Sequence, residues 1–296
     1  MARFLCPFLI TDIKQIPDKL LSKYNLGLEA ICFEGKLLNS LNFIAKQIEK
    51  INNTYSNKLV SFHFPTENAN YLENSKIRNQ LFKIIDLCQK NNISKIIIHS
   101  NYFERSTKFD FTKLPAIRKK FIDIFKKIDA EIIDDNFTLL IENMPIIGNN
   151  GDDFDSVFVF PNDFSAFKEF KNIKINWDFG HWAFTMKLIE EIKKLSPVTA
   201  DLKAHFSDFK NVFSEIEHCH LSSFNGLTFP MTRGVCFEGV PPQLGNYSPT
   251  ELEAAIRWVN TQKPYIQISL EITEQNYYNR KNLKRTLAWL RTKNLI

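Results

Sequence analysis

The chain has 296 residues, of which 44% are hydrophobic and 24% are charged, an ordinary balance for a folded protein with a sizeable core. Its net charge of +5 comes from dispersed lysines and arginines, which argues against a nucleic-acid-binding surface. No apolar stretch reaches the length of a membrane span, and the five scattered cysteines indicate free thiols, so we expect a cytoplasmic protein.

Short β-branched or aromatic runs alternate along the chain with stretches of helical spacing. Apolar residues recur every three or four positions at 41–51, 77–88 and 121–132, which predicts helices there. Eight units over 296 residues give about 37 residues each, enough for a strand, a helix and two loops. The first strand lacks the glycine-rich turn of an open doubly wound sheet, so the chain is predicted to be an α/β protein, a (β/α)8 TIM barrel forming one domain over 1–296. The predicted strands lie near 3–10, 28–33, 58–63, 95–99, 138–142, 173–178, 216–221 and 266–272.

Three predicted loops are longer than a compact barrel needs. They cover about 100–114, 143–161 and 222–248, after predicted strands 4, 5 and 7. Loops that follow barrel strands lie on the catalytic face, so these three are expected to form walls or lids of a site. The acidic run that ends at Asp155 lacks the glutamate that completes a calcium-binding loop, and we expect it to be solvated.

Metal-binding residue types stand at the ends of six predicted strands. Because the C-terminal ends of barrel strands point to one face, we expect these side chains to converge. A carboxylate buried there is costly unless it is paired or bound to a metal. A mixed set of carboxylates and imidazoles suits Mn²⁺, Zn²⁺, Co²⁺ or Mg²⁺ and excludes a thiolate centre. The six residues are His63, His99, Glu142, Asp178, His220 and Glu271.

Two short segments refine these expectations. In W-D-F-G-H, Gly180 is expected to allow a sharp turn, so that Asp178 can bind a metal while His181 lies beside it or contacts substrate. In H-C-H, residues 218 and 220 share one strand face. His220, nearer the C-terminal end, is the predicted ligand, and His218 is expected to be a core histidine.

Two further residues are candidate substrate contacts. Trp182 belongs to an aromatic trio with Trp177 and Phe179, and each of the three has two equal interpretations, core packing or stacking on a sugar face. Arg233, in the loop after strand 7, could bind a phosphate or carboxylate group, the alternative being an arginine exposed to solvent.

The ordered motifs I-E-N-M-P, D-x-G-H-W, H-C-H-L-S and L-E-I resemble those of the xylose-isomerase-like TIM-barrel superfamily. This superfamily contains sugar isomerases and epimerases as well as endonucleases of the endonuclease-IV type. The resemblance implies one bound divalent ion. Mn²⁺ or Zn²⁺ is the first choice, and Co²⁺ or Mg²⁺ is the alternative. Its implied ligands are Glu142, Asp178, His220 and Glu271.

The resemblance also implies roles for three further histidines, and the sequence departs from the family motifs at two places. His181 matches a histidine that contacts substrate, whereas His63 and His99 match either pocket residues of sugar enzymes or ligands of additional metals in endonucleases. Endonucleases carry an Asp-x-His pair after the seventh strand, but here Gly239 and Pro241 stand at those places. Keto-sugar epimerases tend to have an arginine soon after the metal-binding histidine, whereas S-S-F-N-G follows here.

The leading hypothesis is a divalent-metal-dependent isomerase or epimerase of a small sugar or related polyhydroxy carbonyl compound. The ion would polarise the carbonyl and stabilise an enediolate, while Glu142 and Glu271 would transfer protons on opposite faces. One alternative is an endonuclease-IV-like phosphodiesterase acting on abasic DNA, and another is a metal-binding barrel with a lyase or non-catalytic role. We expect a small-molecule partner rather than nucleic acid or membrane, and leave homo-oligomerisation open.

Overall fold

Eight parallel strands close into a barrel, as predicted. The structure is a computed structural model that describes residues 2–105, 107–134, 136–151, 153–195, 203–229 and 234–296. Pairing of the last strand with the first, for example Ser269 beside Leu5, closes the sheet. The strands are β1 (Arg3–Leu9), β2 (Gly27–Ile31), β3 (Leu59–His63), β4 (Lys95–Ile98), β5 (Thr138–Glu142), β6 (Ile173–Asp178), β7 (Ile216–His220) and β8 (Gln267–Ser269).

Helices surround the barrel where the sequence shows helical spacing. In the third of them, Asn74 accepts hydrogen bonds from the amides of Lys76 and Ile77 and so caps the first turn. A 3-10 helix, Pro161–Glu169, lies between β5 and β6, and another, Phe206–Glu215, precedes β7. The α-helices are α1 (Asp18–Tyr24), α2 (Leu41–Thr54), α3 (Ser75–Lys90), α4 (Leu114–Glu131), α5 (Phe179–Leu195), α6 (Pro249–Gln262) and α7 (Lys281–Thr292). No helix among the described residues is both long and apolar enough to cross a bilayer.

Part of the chain's large phenylalanine content forms a buried aromatic layer beside β5 and β6. Phe158 is fully buried, and the centre of its ring lies 5.5 to 6.1 Å from the centres of four other phenylalanine rings. Those four come from α4 and from the 3-10 helix after β5, so Phe158 packs these two helices against each other. They are Phe121, Phe125, Phe164 and Phe167.

The interior of the barrel has a different character. Alternate residues of a strand point inward, and here several inward positions are polar and fully buried. They come from β2, β3, β6, β7 and β8, so this polar layer crosses the barrel from side to side. Its members are Glu29, Ser61, Asn176, His218 and Ser269.

The three long loops are joined to one another. Residues Glu104–Arg105 pair antiparallel with Asp153–Phe154, which links the loops after β4 and β5. The loop after β7 forms a hairpin from Ser223–Asn225 and Phe237–Val240. It reaches the β5 loop through the Cys236 amide, which donates to the Asn149 carbonyl oxygen at 2.9 Å. The rim of the barrel is therefore one hydrogen-bonded frame.

The expectation of a solvated loop around Asp155 is wrong for that residue. Its carboxylate is 6% exposed and accepts hydrogen bonds from the amides of Asn101 and Tyr102 at 3.0 and 3.1 Å. The Ser100 hydroxyl donates to the same carboxylate. Burial raises the pKa of Asp155 to about 6, against the lowering effect of these donors. Asp155 thus fastens the β5 loop to the β4 loop. The five cysteines are all free, as predicted, and all buried.

Candidate metal centre

The structure brings the four predicted metal-ligating residues together at the C-terminal end of the barrel. Glu142, Asp178 and His220 are the last residues of β5, β6 and β7, and Glu271 follows β8 by two residues. Parallel strands that end at one level explain the convergence. One potential ligand atom from each residue lies within 4.8 Å of the corresponding atoms of the other three.

His220 lies at the middle of this cluster. Its Nδ1 atom is 3.1 Å from Glu142 Oε2, 3.3 Å from Glu271 Oε2 and 3.8 Å from Asp178 Oδ2. Neither His220 Nδ1 nor the buried Glu142 Oε1 has a hydrogen bond of favourable geometry. Buried polar atoms without partners are costly, and three carboxylates facing one imidazole suit a divalent cation. These residues therefore fit a metal ion.

The charges of the cluster perturb its members strongly. Burial raises the pKa of Asp178 to about 7, and the neighbouring Glu142 and Glu271 carboxylates add to the rise. Burial alone would lower the pKa of His220, but Glu142 and Glu271 raise it well above its ordinary value. The protein groups thus retain protons in the pH range where a bound cation would compete with them.

Three predicted pocket histidines surround Glu142. His63 Nε2 and His99 Nε2 lie 3.5 and 3.6 Å from Glu142 Oε2, and His181 Nδ1 lies 3.3 Å from Glu142 Oε1. The His63 Nδ1 atom is 2.9 Å from the Phe64 carbonyl oxygen, a contact in which Nδ1–H donates and Nε2 is left to face the cluster. His63, His99 and Glu142 also have ligand atoms within 4.8 Å of one another, close enough to share a further ion.

The Asp178–His181 segment is ordered differently from the sequence-based expectation. Gly180 lies in the first turn of α5 and does not have a positive φ, so it makes no sharp turn. A Cβ atom at Gly180 would instead lie 2.5 Å from Ser222 Oγ, so glycine permits α5 to approach the β7 loop. The His181 amide donates to Asp178 Oδ1 at 2.6 Å, which fixes the carboxylate at the helix start.

The predicted contact between Trp182 and substrate has no support in the geometry. Trp182 is 1% exposed, and its indole N–H donates to the His205 carbonyl oxygen at 3.1 Å. It packs edge-on against Phe160 and Phe209, so of its two interpretations the structure favours core packing. Arg233 lies outside the described residues.

Two carboxylates near the cluster were missed by sequence reasoning. Glu238 Oε1 lies 3.7 Å from His181 Nε2, and Glu238 immediately precedes the Gly239 that occupies a ligand position of the endonuclease pattern. Glu29, in the middle of β2, lies 3.3 Å from His220 Nε2. A signal for Glu29 exists in the sequence, because G-L-E-A-I is an apolar strand interrupted by one charge.

A cavity of about 680 Å³ opens beside the cluster, within the range for a small-molecule site. Its wall includes Asn68, Asn149 and Asn150 and the half-exposed residues Phe33 and Phe103. Amides can donate to and accept from hydroxyl groups, and an aromatic ring can stack on an apolar face. Glu142 and Glu271 both line this cavity, together with His63, His99, His181 and Glu238.

Solved structures with the same fold match the chain from end to end. A D-tagatose 3-epimerase-like protein matches with a TM-score of 0.62 and 16% identity, over 99% of this chain and 100% of that one. A xylose-isomerase-like TIM-barrel protein from Mycobacterium smegmatis in complex with magnesium matches with a TM-score of 0.58 and 11% identity, over 99% and 98%. An AP endonuclease of family 2 from Brucella melitensis matches with a TM-score of 0.57 and 14% identity, over 99% of each chain.

These likenesses confirm the predicted fold, that of xylose-isomerase-like TIM-barrel proteins, and their names include both sugar epimerases and an endonuclease. No sequence-family model matches the chain. No curated protein sequence matches it either. At such low identities the likeness establishes the fold but not the reaction.

Proposed function

We propose that the protein is a divalent-metal-dependent isomerase or epimerase of a small sugar or related polyhydroxy carbonyl compound. The observation that carries the proposal is the placement of two carboxylates from different strands around one imidazole nitrogen. Glu142 Oε2 and Glu271 Oε2 lie 3.1 and 3.3 Å from His220 Nδ1, and both glutamates line the cavity. The fold shared with a D-tagatose 3-epimerase-like protein supports this substrate class.

Glu142, Asp178, His220 and Glu271 would hold the ion. A divalent ion supplies Lewis-acid chemistry, since it polarises a carbonyl group and stabilises negative charge on oxygen. The mixed oxygen and nitrogen donors favour Mn²⁺ or Zn²⁺, with Co²⁺ or Mg²⁺ as alternatives. The fold shared with a protein in complex with magnesium supports the choice of a divalent cation.

The chain's own carboxylates would move the protons. One glutamate takes the proton from the carbon beside the carbonyl, and the electron pair of that C–H bond moves onto the carbonyl oxygen. The other glutamate returns a proton to the opposite face of the same carbon, which restores the carbonyl group and gives the epimer. Return of a proton to the former carbonyl carbon, with transfer of the neighbouring hydroxyl proton to the former carbonyl oxygen, gives the isomer instead. Glu271, with a side chain 26% exposed, faces the cavity more openly than Glu142, which is 1% exposed.

The wall of the cavity would orient the substrate. Asn68, Asn149 and Asn150 offer donors and acceptors to hydroxyl groups, and Phe33 offers an apolar surface to the C–H face of a sugar. His181 Nε2, held opposite Glu238 at 3.7 Å, is directed at the same space because its Nδ1 atom lies 2.9 Å from the Asn143 carbonyl oxygen. The cavity volume of about 680 Å³ accommodates a monosaccharide.

Solvent proton exchange tests the reaction. The protein loaded with Mn²⁺ or Zn²⁺ is incubated with a panel of free ketoses in D₂O, and each sugar is followed by NMR. Deuterium at a carbon next to the carbonyl, together with an epimer or isomer, is the expected result. Loss of water from a substrate would instead assign a lyase, and no exchange into any sugar of the panel would contradict the proposal.

A matched pair of variants assigns the exchange to the centre. Glu271→Gln removes a proton-transferring carboxylate with almost no change in size, and we expect exchange to fall about 10²- to 10⁴-fold. Glu215→Gln is the control, because Glu215 precedes β7 at the opposite end of the barrel, where it pairs with Lys174. Equal exchange by the two variants would remove Glu271 from the mechanism.

A phosphodiesterase is the second candidate. His63, His99 and Glu142 could hold a further ion, and the fold is shared with an AP endonuclease. Additional ions clamp a phosphate in two-metal catalysis. Cleavage of abasic-site DNA, lost in His99→Ala, together with more than one bound ion per chain, would favour this candidate over the sugar enzyme.

A further inference from the structure

A closed ring of buried polar groups lies directly beneath the candidate metal centre. It joins two of the proposed ligands, Glu142 and His220, on the side away from the cavity. All its members are at most 1% exposed. They are Glu29, His218, Asn176, Glu142 and His220.

The first half of the ring holds Glu142. The side-chain amide of Asn176 donates to Glu142 Oε2 at 2.8 Å. This contact leaves Asn176 Oδ1 as an acceptor, and His218 Nδ1 lies 2.8 Å from it. The Asn176 and His218 side chains are thereby fixed in one orientation. His218 is the buried core histidine that the sequence predicts, but it belongs to a network that reaches the centre.

The second half of the ring holds His220. Glu29 Oε1 lies 3.3 Å from His220 Nε2, while Glu29 Oε2 lies 3.4 Å from His218 Nε2. The hydroxyls of Ser61 and Ser269 donate to the two Glu29 oxygens at 2.7 and 2.8 Å. A buried carboxylate is costly unless it is hydrogen-bonded, and these two serines supply that stabilisation.

We propose that Glu29 is a positioning residue that fixes the tautomer and ring orientation of His220 for metal binding. A neutral imidazole has one N–H and one lone pair. When His220 is neutral, as metal binding requires, Glu29 opposite Nε2 keeps the proton on Nε2, and the Nδ1 lone pair is directed at the space that Glu142, Asp178 and Glu271 share. The inference rests on the proposed metal centre and adds a residue from β2, a strand that contributes no ligand.

Packing supports the same orientation of His220. Its ring stacks on that of His63, with the ring centres 5.6 Å apart and the planes inclined by 27°. Rotation of the imidazole by a half turn would exchange Nδ1 with Cδ2 and Nε2 with Cε1, so that carbon atoms would face both the carboxylate cluster and Glu29. The Glu29 carboxylate opposes that rotation, because it stabilises a proton on the nitrogen nearest to it.

Glu29, His218 and His220 also have ligand atoms within 4.8 Å of one another, as an ion site would require. Both oxygens of Glu29 already accept serine hydrogen bonds, and His220 would have to share one imidazole between two ions. The serine hydrogen bonds therefore favour Glu29 as a fixed negative charge beside His220 over Glu29 as a ligand of a second ion. Metal stoichiometry distinguishes the two.

Titration with Co²⁺ tests the inference, since cobalt absorption reports both occupancy and coordination geometry. Metal-free wild type, Glu29→Gln and Glu29→Ala are compared. Loss of such a supporting carboxylate typically weakens metal binding about 10- to 100-fold. We expect Glu29→Ala to lie at the upper end of that range and Glu29→Gln, which keeps an acceptor oxygen, at the lower end. Both are expected to show a cobalt spectrum different from that of the wild type.

Glu215→Gln serves as the matched control. Glu215 is also buried and paired, but at the far end of the barrel, so its loss is expected to leave the Co²⁺ affinity and spectrum unchanged. Should Glu29→Ala fail to fold, Glu29→Gln decides the matter. Ser269→Ala, which removes one hydrogen bond to Glu29 Oε1, provides a milder change in the same direction.

The outcomes separate this inference from the proposed function. Equal Co²⁺ affinity and equal spectra for wild type and both Glu29 variants would overturn the positioning role and leave the metal enzyme standing. An ion bound within Glu29, His218 and His220 would also overturn it. A wild type that binds no Co²⁺ would overturn the metal centre itself, and with it the inference.

Discussion

The aromatic layer around Phe158 and the polar ring around Glu29 are equally buried but stabilise the protein in different ways. In the aromatic layer each ring contacts several others, and aromatic pairs contribute about 0.5 to 1.5 kcal/mol each beyond the area they bury. In the polar ring every group needs one particular partner, and an unpaired group costs about 1 to 3 kcal/mol. The outer layer therefore tolerates the loss of one contact better than the inner ring, in which each polar group depends on its own partner.

The largest expected effect is a loss of catalysis in a variant that still folds. Glu142→Gln is predicted to reduce proton exchange into substrate about 10²- to 10⁴-fold. The metal-free protein should remain folded with a modestly lower melting temperature, because glutamine keeps an acceptor oxygen for the Asn176 amide but removes the negative charge that faces His63, His99 and His220. NMR measures the proton exchange, and circular dichroism measures the melting temperature. Normal proton exchange by the Glu142→Gln variant would remove Glu142 from the proton-transfer step.

The next change lowers the stability of the fold and leaves metal binding unaltered. Phe158→Ala removes a fully buried ring that contacts four others, and a loss of about 3 to 5 kcal/mol in the free energy of unfolding is expected. Urea unfolding measures the loss. Below the unfolding transition the Co²⁺ affinity should match that of the wild type, and a weaker affinity would show that the two regions are coupled.

Metal loading is expected to stabilise the inner region specifically. An ion that binds only the folded state at 100 times its dissociation constant adds about 2.7 kcal/mol to the free energy of unfolding. Addition of Mn²⁺ or Zn²⁺ should therefore raise the melting temperature of wild type and of Phe158→Ala alike. The same addition should raise it less in Glu142→Gln, and an equal rise in that variant would place the ion elsewhere.

The smallest expected effect concerns pH and the loop rim. The pKa of Asp155 in the folded protein, about 6, is raised above its ordinary value of 3.8, so the folded state holds this proton more tightly than the unfolded state. Stability from Asp155 is therefore greatest below pH 3.8 and falls as the pH rises to about 6, by at most about 1.4 kcal/mol per pH unit. Urea unfolding across this range should show a flatter pH profile for Asp155→Asn than for wild type, and parallel profiles would contradict it.

The sequence predicts the barrel and the convergence of its strand ends well, because both follow from local periodicity. Glu142, Asp178 and His220 end their strands, and the geometry of parallel strands then brings them together. Glu29 could not be placed in the same way. It lies in the middle of β2, and its contact with His220 depends on the relative height of strands that are far apart in the sequence.

Side-chain roles near the loops were the hardest to predict. The sequence gives Trp182 two equal interpretations, and only the packing of Phe160 and Phe209 around it distinguishes them. Gly180 is explained by the nearness of Ser222, which is 42 positions away in the chain. Glu238 approaches His181 because a hairpin folds back over the site, and no periodic pattern reports such a turn.

The hydrogen-bonded frame of the rim has a consequence for how this protein can change. The β4 loop pairs with the β5 loop through Glu104–Arg105 and Asp153–Phe154, and the β5 loop accepts the Cys236 amide of the β7 hairpin. Transplanting one of these loops from another barrel would leave backbone partners unmatched on the other two. New substrate preferences in this scaffold should therefore arise by exchanging the three loops as a set, with the strands beneath them left unaltered.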